Sequence, residues 1–441
     1  MDLNMKLKSV YGSTLKSNPL VRTNNPFISI PGHFDNHETP LQINKETLSR
    51  HMILLGGTGC GKSNVFYHMV SQIKQKLSSN DVMIIFDTKG DYYHHFAEPR
   101  DVVIGGGKGF SGISEKWNIF KELTADGWDA RSLELNTQEL SWAIFRKAIN
   151  KSKDPFFPNA ARDLFAAILF CMLKESLTDP SYKKKYLFNS ELKAAINESS
   201  IFDVKEMLEV YPECVSVLSY IGDGTTGQAL GVYAEMLGTV RQLLSSCFEE
   251  RGMFSIRDFV RDRGGKVLFI EYDISIGETL SPIYSLLFDL ALKEALGRGK
   301  SQGDVYFICD EFRLLPYLRH IDDGVNFGRS LGVKVIAGLQ NINQLTETYG
   351  EYRGKNIIAG FSSVFAFKAN DVFTRDYVIG LHGKNVVIEQ HQTLSASYHE
   401  ERRGAHVVED WDMNELSIGE AIISFPFSKP FKYKFDLFQK K

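Results

Sequence analysis

The sequence has little cysteine, no large excess of either charge and no long apolar run, and each absence closes off a class of protein. Its five cysteines (Cys60, Cys171, Cys214, Cys247, Cys309) are odd in number, scattered and without a CxxC pair. That excludes a zinc ribbon and a small disulfide-stapled fold, and it fits a reducing compartment. Lys+Arg 51 against Asp+Glu 54 leaves a formal net charge of -3. A uniformly basic nucleic-acid coat is thereby excluded, although a locally basic pore or groove is not. The most apolar run, LFAAILFCML at 164–173, is flanked by Arg162, Asp163 and Lys174. It is too short for a bilayer of about 30 Å at about 1.5 Å per residue, and it reads as a buried core helix. The opening MDLNMKLKSVYGSTLKSNPL has no apolar centre and does not read as a signal peptide. The expectation is a cytoplasmic protein with no direct membrane insertion, associated with a membrane only through a partner.

What is present is the composition of a globular chain, with 43% hydrophobic and 24% charged residues over 441 positions. That is enough for a large core and an insertion. After an irregular, Asn/Pro-rich leader to about residue 50, short apolar runs alternate with helical patterns. The runs are 52–55, 82–86 and 102–104, and the first is followed by a Gly-rich turn and a helix over 62–77. From Trp117 to about Val240 the β-branched runs vanish, and apolar residues recur at helical spacing between Pro155, Pro158, Pro180 and Pro212. Alternation then resumes, with strands at 266–272, 305–311, 333–338, 364–368 and 386–390 and helices at 281–296, 323–331 and 371–380. This order predicts an α/β fold with a buried parallel sheet carrying an all-α inserted domain. The expected divisions are 1–116 and 241–441 for the two parts of the α/β domain and 117–240 for the insertion.

Residues 56–63, GGTGCGKS, match G-x-x-x-x-G-K-[ST] in full. Gly56, Gly57, Thr58, Gly59, Cys60 and Gly61 form a backbone that can curl its N–H groups around phosphate oxygens. Lys62 adds a charge for the β- and γ-phosphates, and the Ser63 hydroxyl suits Mg²⁺. An apolar strand precedes the loop and a helix follows, whose positive end faces the same anion. ATP and Mg²⁺ are the cofactors this implies.

A phosphate loop also needs a carboxylate at the end of a neighbouring strand. VYFICDE ends in Asp310, suited to the metal, and Glu311, suited to accept a proton from an attacking water. Asp87 also ends an apolar strand and competes for the metal role, but it has no adjacent Glu. VKVIAGLQ ends in Gln340, whose amide can hydrogen-bond a γ-phosphate or the water.

Together GGTGCGKS, IFDTKGDYY, KWNIF, VYFICDEF, GRSLGVKVIAGLQNINQLTETYG and FKANDVFTRDYVIG resemble the cytosolic part of conjugative type IV secretion coupling ATPases. More distantly they are similar to chromosome-segregation DNA pumps and to archaeal-type DNA-end-processing ATPases. The resemblance spans roughly residues 45–385. It implies a RecA-like P-loop NTPase core, a homo-hexamer that threads DNA through its centre, and an all-α domain at one mouth. It also implies that Lys62, Glu311 and Gln340 act in catalysis, that Ser63 and Asp310 hold metal, and that a neighbouring subunit supplies an arginine finger, either Arg375 or Arg329. Members from conjugation systems usually begin with transmembrane helices, and none is read here. Beside the translocase stands a second reading, a nucleotide-switched docking module for a relaxase, nuclease or defence effector.

DNA would be held by its phosphate backbone, with little sequence specificity. Basic stretches available for this are Arg146, Lys147, Lys151 and Lys153, and the KKK at 183–185, although such clusters commonly form a solvated face. DGTTGQALG at 223–231 reads as a channel loop or a linker. The tail FKYKF reads as an amphipathic strand by its two-residue period. His94, His95, His382 and His391 have no metal-ligand spacing.

Overall fold

Four runs that are apolar at nearly every position become neighbouring strands buried on both faces, as a parallel sheet covered by helices requires. They are β1 (Met52–Leu55), β5 (Val305–Cys309), β6 (Val333–Leu339) and β7 (Ser363–Phe367), every residue of which is buried. Between β1 and β5 the chain forms α1 (Lys62–Gln75), β2 (Val82–Asp87), β3 (Val102–Gly105), a helical region, and β4 (Lys266–Glu271). After β7 come α6 (Val372–His382), β8 (Glu420–Ser424) and β9 (Phe431–Phe435). The helices used below are α2 (Ala130–Lys151), α3 (Phe156–Thr178), α4 (Gly227–Leu243) and α5 (Gly277–Leu296). This computed structural model describes residues 6–15, 21–297, 303–315, 317–392 and 398–439.

The chain divides into two units, Met1–Ile85 with Arg298–Lys441, and Phe86–Gly297. In the first unit the strand order starts with the short strands His37–Glu38 and Gly32–Phe34 and continues β9-β8-β7-β1-β6-β5-β2. β5, β6, β1 and β7 are parallel, whereas β8 and β9 add antiparallel to β7. The sheet is therefore mostly parallel with an antiparallel edge. The tail forms β9, an inner strand of that antiparallel part, flanked on its far side by Gly32–Phe34; Phe431, Tyr433 and Phe435 are buried while Lys432 and Lys434 are exposed.

The leader, expected to be irregular, contains short strands. Ile28–Ile30 pairs antiparallel with Leu41–Ile43, and Ser29 exchanges two hydrogen bonds with the Gln72 amide of α1. Runs of three residues are too brief to show periodicity, which is why they read as loop. The strand expected at 386–390 also differs. Lys384–Gln392 is not part of the parallel sheet but pairs antiparallel with Lys6–Tyr11 and Tyr398–His406 in a three-stranded sheet. The helix expected at 323–331 is two pieces, Ile321–Asn326 and a 3₁₀ turn Gly328–Leu331, closed by Gly332 at φ 86°.

In the second unit β3 and β4 pair in parallel, and α3 packs against α2 and α4. Among the described residues α3 is one helix long and apolar enough to cross a membrane, but most of it is buried against its neighbours. The sequence places the edges of the helical region at 116/117 and 240/241. The units divide at 85/86 and 297/298, because β3 and β4 pair with each other and α5 packs on α2 and α4. The 223–231 stretch is a turn and a helix start: Thr225 bonds Asp223, and Thr226 caps α4 by accepting from Ala229.

Candidate active site

The registers β5–β6 and β6–β1 bring three C-terminal strand ends side by side. Cys309 pairs with Ala337 and Leu339 pairs with Leu55, so Asp310–Glu311, Gln340 and Gly56 emerge along one edge of the sheet. That edge is where open parallel sheets hold ligands.

The loop 56–63 is shaped by its glycines. Gly61 sits at φ 109° as the N-cap of α1 and contributes no side-chain cap. The first N–H groups of the helix are thereby left for an anion. A Cβ on Gly61 would also lie 3.0 Å from Gly419 Cα. The Gly419 N–H donates to the Cys60 carbonyl at 2.9 Å, and Gly56 and Gly57 donate to the carbonyls of Leu339 and Lys368 at 3.1 and 2.9 Å. Lys62 is 8% exposed, and its ammonium donates to the carbonyls of Gly56 (2.6 Å) and Gly57 (3.1 Å). Burial pushes the Cys60 thiol up from its ordinary range. Thr58 and Gly59 are exposed at the tip.

Two side-chain pairs lie at the strand ends. Ser63 Oγ donates to Asp310 Oδ2 at 2.7 Å, so hydroxyl and carboxylate converge closely enough to share one cation. Both are hard oxygen donors, the kind Mg²⁺ takes in small number while keeping waters. Gln340 Nε2 donates to Glu311 Oε2 at 2.6 Å, while Glu311 Oε1 faces Arg313 Nε at 3.7 Å. The expected residues Lys62, Ser63, Asp310, Glu311 and Gln340 thus meet in one place.

The other candidates are placed differently. Arg375, on α6, has a side chain only 16% exposed and is held by Asp410 Oδ1 at 2.7 Å. It also donates to the carbonyls of Asn370 (2.9 Å) and Ala369 (3.3 Å), in the segment whose Lys368 carbonyl holds Gly57. Arg329 is 48% exposed and pairs with Glu46 at 3.5 Å, itself 66% exposed. Asp87 accepts from the Tyr93 N–H at 2.8 Å and is fully buried, so its carboxylate orders the start of helix Asp91–Phe96. Among the described residues no group of His, Cys, Asp and Glu forms a metal cluster. Of the basic stretches, Lys147 bonds the Glu278 carbonyl and Ser281, Arg146 stacks on Trp142, and Lys183 lies over Trp128.

Three features were not read from the sequence. Gly338 lies inside β6, and a Cβ there would meet the Asp310 carbonyl oxygen at 2.1 Å. A glycine within a strand signals close backbone approach, so this one could have been found. Gly419 carries no such signal. Nor does the brace on α1: Asn64 and His68 bond the Asp436 carbonyl at 2.8 and 3.0 Å, and Phe438 N–H donates to Asn64 at 2.7 Å.

Residues 37–432 match the model of the type IV secretion-system coupling protein DNA-binding domain. The chain belongs to this family. It is 22% identical over 398 residues to the coupling protein TraD of Escherichia coli (strain K12), covering 88% of the chain and 51% of TraD. The chain thus spans about half the length of that curated relative. Among solved structures it is similar to the bacterial conjugative coupling protein TrwBdeltaN70 in complex with sulphate, with TM-score 0.75, 19% identity, and 98% and 95% of the two chains covered. TrwB in complex with ADP and Mg²⁺ aligns at TM-score 0.73 and 18% identity, covering 96% and 91%. VirB4 of Thermoanaerobacter pseudethanolicus aligns at TM-score 0.57 and 13% identity, covering 94% and 98%. The fold of this coupling-protein chain is the RecA-like α/β core with an all-α region that the sequence led us to expect.

Proposed function

We propose that this chain is an ATP-driven DNA translocase of coupling-protein type, a P-loop ATPase acting as a homo-hexamer on DNA. The observation that carries the reading is the meeting of Ser63 with Asp310 and of Gln340 with Glu311 at adjacent strand ends beside the 56–63 loop. The family match and the ADP–Mg²⁺ complex of TrwB support ATP and Mg²⁺ as the cofactors.

In this reading the N–H groups of Thr58, Gly59, Cys60 and Gly61 cradle the phosphates, while those of Gly56 and Gly57 stay bonded to the Leu339 and Lys368 carbonyls and hold the loop in place. The Lys62 ammonium exchanges its carbonyl partners for phosphate oxygens. Ser63 and Asp310 hold Mg²⁺, which when bound neutralises charge on the phosphates. Glu311 accepts a proton from the attacking water, and Gln340 orients Glu311 and senses the γ-phosphate. Arg375 is a positioning residue, bracing the 368–370 segment that holds Gly57. Arg329, half exposed, is the better arginine finger and would act on a neighbour's nucleotide. DNA is gripped through its phosphates.

The test is nucleotide turnover with and without DNA, together with mass measurement in ATP analogue, DNA, both and neither. DNA should stimulate hydrolysis, Lys62→Ala should abolish it, and six-fold assemblies should appear. A monomer in every condition that turns over nucleotide at full speed overturns the motor. The second reading is a docking module for a relaxase, nuclease or other effector, with the nucleotide acting as an assembly switch. Nucleotide-dependent partner binding without multiple turnover would select it.

A further inference from the structure

Two of the five cysteines, 43 positions apart in the sequence, meet inside the helical unit. Cys171 lies on α3 and Cys214 on the 3₁₀ turn Pro212–Val217, with their sulfurs 3.5 Å apart. Both are buried, at 1% and 3% exposure, and both are free thiols. No other two cysteines make such a contact among the described residues.

Their surroundings differ in a way that gives them separate roles. Cys214, together with Trp142, Arg162, Ala167, Phe170 and Tyr220, lines a cavity of about 510 Å³, whereas Cys171 does not line it. A small molecule in the cavity therefore meets Cys214 first. The contact itself polarises the pair. The contact with Cys171 holds Cys214 below the ordinary thiol range, and the same contact together with burial pushes Cys171 up. Cys214 faces the cavity and Cys171 does not, so Cys214 is the nucleophile and Cys171, in contact behind it, the resolving thiol.

We propose that Cys171 and Cys214 are a disulfide-forming pair, oxidised by a low-molecular-weight disulfide such as oxidised glutathione that enters the cavity of the helical unit. The Cys214 thiolate attacks one sulfur of the small disulfide, forming a mixed disulfide and expelling one small thiolate. That thiolate takes the proton of Cys171. The Cys171 thiolate then attacks the Cys214 sulfur, closing the protein disulfide and expelling the second small thiolate, which takes up the proton that Cys214 gave to solvent. Two protein thiols are oxidised and one small disulfide is reduced to two thiols. The sulfurs must approach by about 1.5 Å to reach bonding distance. The turn Pro212–Val217 is short, and Val215 and Ser216 on it are exposed, so it is the element free to adjust. Closure ties this turn to α3 and fixes one wall of the cavity.

The test uses the full chain, reduced and then incubated with oxidised glutathione at increasing ratio to reduced glutathione. Unreduced peptide mapping should find Cys171 joined to Cys214, with an intact mass two hydrogens lighter and Cys60, Cys247 and Cys309 still open to alkylation. Cys171→Ser should stop at a Cys214–glutathione adduct, and Cys214→Ser should leave Cys171 unmodified. The oxidised chain should melt several degrees higher than the reduced one. The proposal is overturned if the wild type keeps an open adduct at Cys214, or joins other cysteines in equal yield. It is also overturned if the folded chain stays fully reduced while denatured chain oxidises. Should a serine variant fail to fold, the wild-type peptide map decides alone.

Discussion

The Gln340 side-chain amide donates to the Glu311 carboxylate across 2.6 Å, joining the ends of two adjacent strands, β6 and β5. A base held by a neighbouring strand's amide is oriented before any water arrives. Glu311→Gln should therefore leave nucleotide binding within about twofold and lower turnover by about 10²-fold or more. Gln340→Ala, which frees the carboxylate, should lower turnover less, by roughly tenfold. A fluorescent-nucleotide titration beside a phosphate-release assay separates the two effects. Full turnover in Glu311→Gln would remove Glu311 from the reaction.

The two arginines should part company. Arg375→Ala removes the contacts to Asp410, Asn370 and Ala369, so it should cost about 1–2 kcal/mol of stability and weaken nucleotide binding. Arg329→Ala should leave melting and affinity unchanged but lower turnover by about 10³-fold. Mixing Arg329→Ala with Lys62→Ala chains should restore some activity, since one supplies the loop and the other the finger. No recovery on mixing would place the finger elsewhere.

A third prediction concerns packing. Gly338→Ala would put a methyl 2.1 Å from the Asp310 carbonyl oxygen, and backbone cannot yield as a side chain can. A loss of about 2–3 kcal/mol in urea unfolding is expected. Gly380→Ala on α6 is the control: nothing lies within 4 Å of its Cβ, so the change should be neutral or stabilise by up to about 1 kcal/mol. Equal effects at the two sites would contradict the close approach.

The fourth depends on pH. Glu271 at the end of β4 is 4% exposed and accepts from the Gly107 N–H at 3.1 Å. Burial first, then the nearby Asp273 and Asp87 charges, raise it from 4.5 to about 7. Between those values the folded chain holds a proton that the unfolded chain has released, so this group's contribution to stability falls as pH rises. Glu271→Gln keeps the acceptor and cannot ionise. Its advantage over wild type should be small near pH 5 and reach about 1–2 kcal/mol near pH 8. Melting temperatures at both values check this, and an advantage that shrinks with rising pH would reverse the assignment.

The phosphate loop could be read in the sequence because its chemistry demands particular residues at consecutive positions. Asp310, Glu311 and Gln340 were legible for a related reason: they stand at the ends of strands apolar at nearly every position, and polarity at such an end is conspicuous. Contacts between distant residues were not legible. Nothing in the spacing of Cys171 and Cys214 announces a 3.5 Å approach, and nothing near Gly419 marks it as the neighbour of Gly61. Arg375 looked available because a guanidinium in a polar segment shows no partners until the chain is folded. The strand at Lys384–Gln392 had the right residues but belongs to a different sheet, since apolar content alone does not specify which edge a strand joins.

The brace on α1 bears on how this protein is made. Phe438 bonds Asn64 across 374 positions of chain, and Asp436 holds Asn64 and His68 over nearly the same span. On the ribosome the phosphate loop emerges more than 370 residues before the 436–438 segment that braces its helix. A polypeptide released prematurely upstream of that segment carries the loop without its support.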